Sequence, residues 1–165
     1  IMSVVLILVN VARPDVAELG QLPGENHFAN LENVPDALTL SGLLISRSDM
    51  PLIAFNAKEL RKQVLAQARS MSPRPRVVLL DLEMNSDLDV NGVNELENLI
   101  RELKLEGADL WLARVHNKVP DMLERSGIAE QIGRDKLFTS VEAGANAFRQ
   151  LGPVPLTTSP APIDR

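Results

Sequence analysis

The sequence predicts an α/β fold: a mixed sheet of about four to five strands, with an N-terminal hairpin, flanked by about four to five helices. Short apolar runs of strand length alternate with segments in which apolar residues recur at helical spacing. The run 76–82 (RVVLLDL) is continuously apolar, as in a strand that is covered on both faces. Strands linked through helices should be parallel, with right-handed crossovers.

The first two strands are predicted on either side of a turn. The stretch from Leu38 onward (LTLSGLLISR) and residues 51–55 (PLIAF) are short and apolar, and the turn signal SDMP lies where they meet. These two strands can form an antiparallel hairpin. Arg47 and Asp49, which lie at the turn, are expected to be solvated.

The next part of the chain is predicted as helix, strand and helix. Helix 57–71 follows Asn56, which is expected to cap it, and Glu59 three residues later fits the reciprocal acid of a capping box. After the strand at 76–82, a second amphipathic helix covers about 91–106 and stops at a glycine.

The last part of the domain is predicted as a strand followed by two helices. Strand 109–115 precedes helix 117–127, for which Asn117 is the expected cap. A short apolar run, KLF, then leads to a final helix at about 140–151, with Thr139 as its expected cap. The predicted element order is therefore β-β-α-β-α-β-α-α.

Composition divides the chain into four parts. Residues 13–37 are acidic and contain several Pro and Gly, which favours an extended connector to a domain at 38–151. Residues 152–165 contain four Pro and are predicted to be a disordered tail. Residues 1–12 are mostly apolar but shorter than the about 20 residues that span a bilayer. They are expected to be a strand or buried helix turn of this domain, or the last turns of a membrane helix with Arg13 at its cytoplasmic surface.

The bulk composition disfavours several classes of function. The net charge is −5 and aromatic residues make up only 3% of the chain, so a nucleic-acid partner is not expected. The chain has no Cys and two His, which excludes a thiol nucleophile and disfavours a zinc site. We therefore expect neither a catalytic nor a metal-binding centre.

An acidic loop follows the strand at 76–82 and contains Asp81, Glu83, Asp87 and Asp89. Open α/β sheets bind ligands at the carboxyl ends of their strands, so this loop is the first candidate site. Its acids would repel a phosphate at the following helix N-terminus, and their spacing departs from that of a calcium loop. Asp89 is expected to cap the helix or to be solvated near it.

Motifs for other chemistries do not occur in the sequence. There is no P-loop, no G-x-G-x-x-G and no G-x-S-x-G. A receiver-like phosphoacceptor would need an acid pair after an early strand, and ISRSD offers a single acid. His116 could act as a general base after a strand, but no orienting partner is visible, so a surface or capping role is expected.

Taken in order, several stretches resemble the STAS domain (sulphate transporter and anti-sigma-factor antagonist) at the cytoplasmic end of SulP-type anion permeases. These stretches are GLLISRSDMPLIAFNAKELRKQV, VVLLDLEMNSDLDVNGVNEL and the region from LKLEGADLWLARV to VEAGANAF. The resemblance covers about residues 11–149. It implies that residues 1–12 are the end of the final membrane helix, and that the domain lies at the cytoplasmic face of the cell membrane.

One departure from the family pattern bears on function. Soluble antagonists carry Asp-Ser-Ser/Thr-Gly, with a hydroxyl that a kinase phosphorylates, whereas residues 89–92 here are Asp-Val-Asn-Gly. The missing hydroxyl supports a resemblance to the permease members of the family over the soluble antagonists. It implies that the loop is a partner-binding surface. The expected surface consists of Asn85, Ser86, Asp87, Asp89, Val90, Asn91 and Gly92.

The resemblance implies a non-enzymatic regulatory and interaction domain of a sulfate-type secondary anion transporter. Its expected partners are the membrane domain of the same chain, a second protomer in a homodimer, and a cytosolic protein. No cofactor is expected. Two alternatives stay open: weak binding of GTP or GDP, which is suspected in the family, and a role like that of an anti-sigma-factor antagonist.

Overall fold

The computed structural model describes residues 14–152, which build a mixed sheet with helices on both faces. The strands lie in the spatial order β2-β1-β3-β4-β5. Strand β1 pairs antiparallel with β2 and β3, whereas β3, β4 and β5 are parallel. The strands are β1 (Val16–Gln21), β2 (Phe28–Asn30), β3 (Leu43–Ser48), β4 (Val77–Asp81) and β5 (Asp109–Ala113).

Five α-helices connect or follow the parallel strands in the described part of the chain. They are α1 (Ala57–Ser70), α2 (Val90–Leu105), α3 (Val119–Ser126), α4 (Ile128–Ile132) and α5 (Val141–Gln150), with a 3-10 turn at Arg134–Lys136 before α5. The predicted α/β class, with a five-stranded mixed sheet and an N-terminal antiparallel pair, is confirmed.

The apolar run of β4 forms the centre of two hydrophobic cores. Val78 and Leu80 pack with α1 and α2 on one face of the sheet, while Val77 and Leu79 pack with α5 on the other. This confirms that the strand is covered on both faces. Helix α5 approaches the sheet closely because it carries Gly144: a Cβ there would lie 2.7 Å from the Leu79 side chain.

The predicted strand at 51–55 is wrong. These residues form an irregular loop and a turn before α1. Their backbone groups bond to side chains instead of to a neighbouring strand: Asn56 Oδ1 accepts from Ile53 N at 3.0 Å, and Asn56 Nδ2 donates to Pro51 O at 2.8 Å. Asn56 therefore shapes this loop, and its side chain makes no capping bond to α1 as had been predicted.

The antiparallel pair lies earlier in the chain than predicted. Residues 13–37, expected to be a connector, contain β1 and β2 instead. Strand β1 pairs with β3 and so joins this pair to the rest of the sheet. The short β1 buries Val16 and Leu19, and Gly20 packs closely against other side chains. With so few apolar residues and an internal glycine, β1 lacks the pattern by which strands are recognised.

Three smaller predictions about local structure are also corrected. Ser140, not Thr139, caps α5, since its Oγ accepts from Ala143 N at 3.0 Å. The helix predicted at 117–127 starts at residue 119, with Lys118 and not Asn117 at its N-cap position, and it ends at Gly127 (φ 80°) as predicted, before the separate helix α4. The KLF run contributes only one isolated bridge to β5.

The predictions for residues 1–12 and for 153–165 of the tail concern segments outside the described residues. Between residues 14 and 152, no helix has both the length and the apolar character needed to cross a bilayer.

Candidate docking surface

Three loops meet at the carboxyl edge of the parallel strands. They are the first loop (49–56, after β3), the second loop (82–89, after β4) and the third loop (114–118, after β5). Hydrogen bonds join each loop to the next. Asn85 in the second loop accepts from Leu52 N in the first at 2.7 Å, and Ser86 O accepts from Lys118 N in the third at 3.3 Å. The edge is therefore a connected surface.

Asp89 holds the start of α2 against the first loop. Its Oδ1 accepts from Gly92 N at 2.7 Å, which confirms the predicted helix cap, and its Oδ2 accepts from Ala54 N at 3.1 Å. The carboxylate thus occupies the position that an anion would take at this helix N-terminus. This arrangement disfavours phosphate binding at α2.

Two of the seven predicted surface residues are buried. Asn85 is only 1% exposed and connects two loops from within, and Gly92 lies beneath Leu52. For these two residues the prediction of a partner-facing position is wrong. Their burial follows from the packing of the first loop, after β3, against the second loop, after β4, and these loops are distant in sequence.

The other five predicted residues, Ser86, Asp87, Asp89, Val90 and Asn91, are exposed on the second loop and the first turn of α2. Val90 has 68% of its surface exposed, although it is apolar. Three more exposed apolar side chains share this edge and were missed by the sequence prediction: Ile53, Phe55 and Met84. Residues 51–55 had been interpreted as a strand, so their apolar side chains were assigned to a sheet.

A charged cluster lies beside the apolar residues at the same edge. Asp81 ends β4 and is 2% exposed, and its Oδ1 accepts from Glu83 N at 3.0 Å. Arg114 Nε is 3.6 Å from Asp81 Oδ1, and the same arginine forms an ion pair with Glu83. Arg47 also contacts Glu83, at 3.2 Å, and it lies in β3 and not at the predicted turn, with its side chain partly exposed.

Arg114 and its role in this cluster could not be recognised from the sequence. It lies directly after β5 and has a φ of 54°, a conformation that few residues other than Gly adopt. Its partners come from β4 and the second loop, which are about thirty positions away in the sequence. Only the strand register, which sets Asp81 beside Ala113, brings the two groups together.

Burial raises the pKa of the Asp81 carboxyl above its ordinary value of 3.8, and the Arg114 guanidinium and the Glu83 N–H offset only part of this effect. The folded state therefore binds the proton more tightly than the unfolded state. Asp81 favours folding most below pH 3.8, and this contribution is lost as the pH rises through the folded-state pKa.

Asp81→Asn is expected to remove the loss of stability that accompanies ionisation of Asp81 as the pH rises, because an amide cannot ionise. The free energy of unfolding of the variant, minus that of the wild type, should increase as the pH rises from about 4 towards 7. Urea denaturation at several pH values measures this difference. A difference that stays constant, or that falls with pH, would contradict the raised pKa.

His116 and the acids of the carboxyl edge are the side chains that catalysis or metal binding at this edge would use. His116 Nδ1 lies 2.6 Å from the Asn117 side-chain nitrogen, in an exposed contact. In the range 14–152, His, Asp and Glu side chains form no group of three or more that could hold a metal ion. The acids of the edge instead bond to backbone N–H groups and arginines.

A family model described as "STAS domain" matches residues 34–144. Among curated proteins, high affinity sulfate transporter 2 of Stylosanthes hamata is 33% identical over 155 residues, covering 89% of this chain and 23% of that protein. A probable sulfate transporter of Mycobacterium tuberculosis is 28% identical over 149 residues, covering 90% of this chain and 27% of that protein. The chain thus spans about a quarter of the length of these relatives.

Solved structures show the same fold at lower sequence identity. The murine anion transporter Slc26a9, in its inward-facing state, aligns with a TM-score of 0.77 and 20% identity, over 90% of this chain and 24% of that one. The STAS domain of a SulP transporter from Vibrio cholerae aligns with a TM-score of 0.60 and 17% identity, over 73% of this chain and 92% of that one.

Proposed function

The chain belongs to the STAS domain family, and on this premise we propose that it is the regulatory and interaction domain of a sulfate-type anion transporter, acting by contact and not by catalysis. One observation carries the proposal: the acids of the carboxyl edge, which could otherwise serve catalysis or bind a cation, bond to groups of the domain itself. Asp89 accepts from two backbone N–H groups, and Arg114 pairs with Asp81 and Glu83. The edge exposes apolar and polar side chains on loops that hydrogen bonds hold in place.

The proposed partner is the membrane domain of the same protein, with the domain at the cytoplasmic face of the cell membrane. The sulfate transporters among its relatives, of which this chain matches about a quarter, support this arrangement. A second protomer and a cytosolic protein are further proposed partners. The five exposed residues of the second loop and the start of α2 are the proposed contact surface.

Val90→Asp in the full-length protein is expected to weaken the contact about tenfold or more, because burying an unpaired carboxylate costs more than about 1.4 kcal/mol. Sulfate uptake at equal surface amount should fall accordingly. Val90 is 68% exposed and starts α2, where an acid is compatible with the helix dipole, so the domain should stay folded.

Leu105→Asp is the matched control, since Leu105 is an apolar residue of the same helix and is 83% exposed at its other end. Uptake by this variant should stay close to that of the wild type. Unchanged uptake with Val90→Asp, or an equal loss with both variants, would argue against a contact through the carboxyl edge.

Weak guanine-nucleotide binding stays a prediction, and the geometry at α2 gives it little support. Asp89 already accepts from Gly92 N, and a phosphate would have to displace that carboxylate. We expect the amide signals of residues 85–93 to stay unchanged during titration with GTP up to millimolar concentration. Saturable shifts in these signals would instead favour the nucleotide alternative.

A further inference from the structure

Helix α1 carries two unpaired lysines on its exposed face. Lys58 and Lys62 are both exposed, and within residues 14–152 neither forms an ion pair. They are four positions apart, so they lie one turn from each other on the same side of the helix. The other two bases of the helix, Arg61 and Arg69, pair with glutamates in and directly after α2. This face of α1 therefore carries two positive charges that the described part of the domain does not neutralise.

The same helix lies beside the residues that lead into β1. Gln63 Nε2 donates to Pro14 O at 3.0 Å, and Gln67 Nε2 donates to Val16 O at 2.7 Å. Lys62 directly precedes Gln63, so its backbone is displaced from that of Gln63 by only about 1.5 Å along the helix axis. The lysine face of α1 is therefore level with Pro14 or nearer to the carboxyl edge, where α1 starts.

Charge decides which side of the domain can approach a membrane. On the proposed function the membrane domain precedes this domain in the same chain, so Pro14 lies on the side of the domain that faces the membrane. The cytoplasmic leaflet is negatively charged, and the chain has a net charge of −5, so most of its surface is repelled. A face with unpaired lysines on the side of Pro14 is instead attracted.

We infer that the face of α1 that carries Lys58 and Lys62 contacts the anionic lipid headgroups of the cytoplasmic leaflet. The inference rests on the proposed function and adds a lipid contact to the protein contact at the carboxyl edge. Each lysine near such a surface strengthens binding about fivefold, which is weak for a free domain. A domain that is tethered to the membrane needs no more, because the tether raises its effective concentration there. The contact fixes which side of the domain faces the membrane.

Quenching of a fluorophore by spin-labelled lipid headgroups tests this contact in the complete 165-residue chain, which has no cysteine of its own. The fluorophore is attached to Ala66→Cys, because Ala66 is exposed and lies one turn after Lys62. Asn146→Cys is the control position, because Asn146 is exposed on α5, which packs on the opposite face of the sheet. The vesicles consist of phosphatidylcholine, with or without phosphatidylserine.

We expect vesicles with phosphatidylserine to quench the label at Ala66→Cys, and vesicles of phosphatidylcholine alone to quench it far less. The label at Asn146→Cys should stay unquenched on both. Added salt should reduce the quenching, because it screens the attraction between lysines and headgroups. An unquenched label at Ala66→Cys, equal quenching at both positions, or quenching that does not depend on phosphatidylserine would overturn the inference.

The double variant Lys58→Gln/Lys62→Gln should raise the lipid concentration that gives half-maximal quenching about tenfold or more. Both lysines are exposed and unpaired, so the domain should stay folded. Arg101→Gln/Lys104→Gln is the matched control, since it removes the same charge from exposed positions in the second half of α2, away from the carboxyl edge. Equal effects of the two double variants would assign the binding to net charge alone and overturn the inference.

The uptake and quenching experiments have separate outcomes. If Val90→Asp lowers sulfate uptake but the label at Ala66→Cys stays unquenched, docking through the carboxyl edge stands and the lipid contact is wrong. If the label is quenched and uptake is unaffected by Val90→Asp, the lipid contact stands and the proposed role of the edge is wrong. If Lys58→Gln/Lys62→Gln lowers uptake by the full-length protein without any quenching, the lysines contact an acidic protein surface, which overturns the inference.

Discussion

Leu80→Ala is expected to lower the free energy of unfolding by about 2–5 kcal/mol. Leu80 is fully buried in β4 and belongs to the core cluster that α1 and α2 cover. Parallel neighbours β3 and β5 hold β4 on both sides, so the backbone cannot easily collapse into the space that the substitution leaves. Urea denaturation measures the change in midpoint, with the slope m expected to stay the same.

Leu105→Ala provides the comparison for this prediction. It removes the same atoms from a side chain that is 83% exposed, and should change stability by less than about 0.5 kcal/mol. If Leu80→Ala lowered the free energy of unfolding by less than about 1 kcal/mol, β4 would not be the shared centre of the core.

Asn85→Ala is expected to destabilise the domain by about 1–3 kcal/mol, because it leaves a buried backbone donor without an acceptor. The donor is Leu52 N, which bonds to Asn85 Oδ1 at 2.7 Å, and Leu52 is itself 2% exposed. The loss should also free the first loop from the second. Amide hydrogen exchange at residues 51–56 should therefore become faster than in the wild type.

Ser86→Ala is the neighbouring control, since Ser86 is exposed and its backbone carbonyl, not its side chain, bonds to Lys118 N. Its expected effect on stability is within about 0.5 kcal/mol. Equal effects of the two substitutions, or unchanged exchange at residues 51–56 in Asn85→Ala, would show that Asn85 does not connect the loops.

Elements with a strong local pattern could be predicted from the sequence. The continuous apolar run of β4 and the helical spacing of α2 are local properties, and the cap at Asp89 follows from its position before that helix. Strand β1 could not be predicted, because its pairing with β3 depends on residues some thirty positions away. The apolar residues 51–55 resembled a strand, yet they form the exposed part of the edge.

The candidate site could be located but not assigned residue by residue. The second loop was singled out by its position after a parallel strand, whereas the surface residues, five of which are exposed, were implied by the family resemblance. The burial of Asn85 and the Arg114 contacts depend on how three loops pack, which one-dimensional spacing does not encode. Phe55 was missed because residues 51–55 resemble a strand, whereas the structure places them in a loop that the bond from Ala54 N to Asp89 Oδ2 holds against the start of α2.

Sulfate uptake by the full-length protein tests most directly whether this domain acts by contact through its carboxyl edge. The measurement is the ratio of uptake in Val90→Asp to that in Leu105→Asp, at equal surface amounts of the two variants. A contact through the edge predicts a ratio well below one. A ratio of one, with both variants folded, would contradict it.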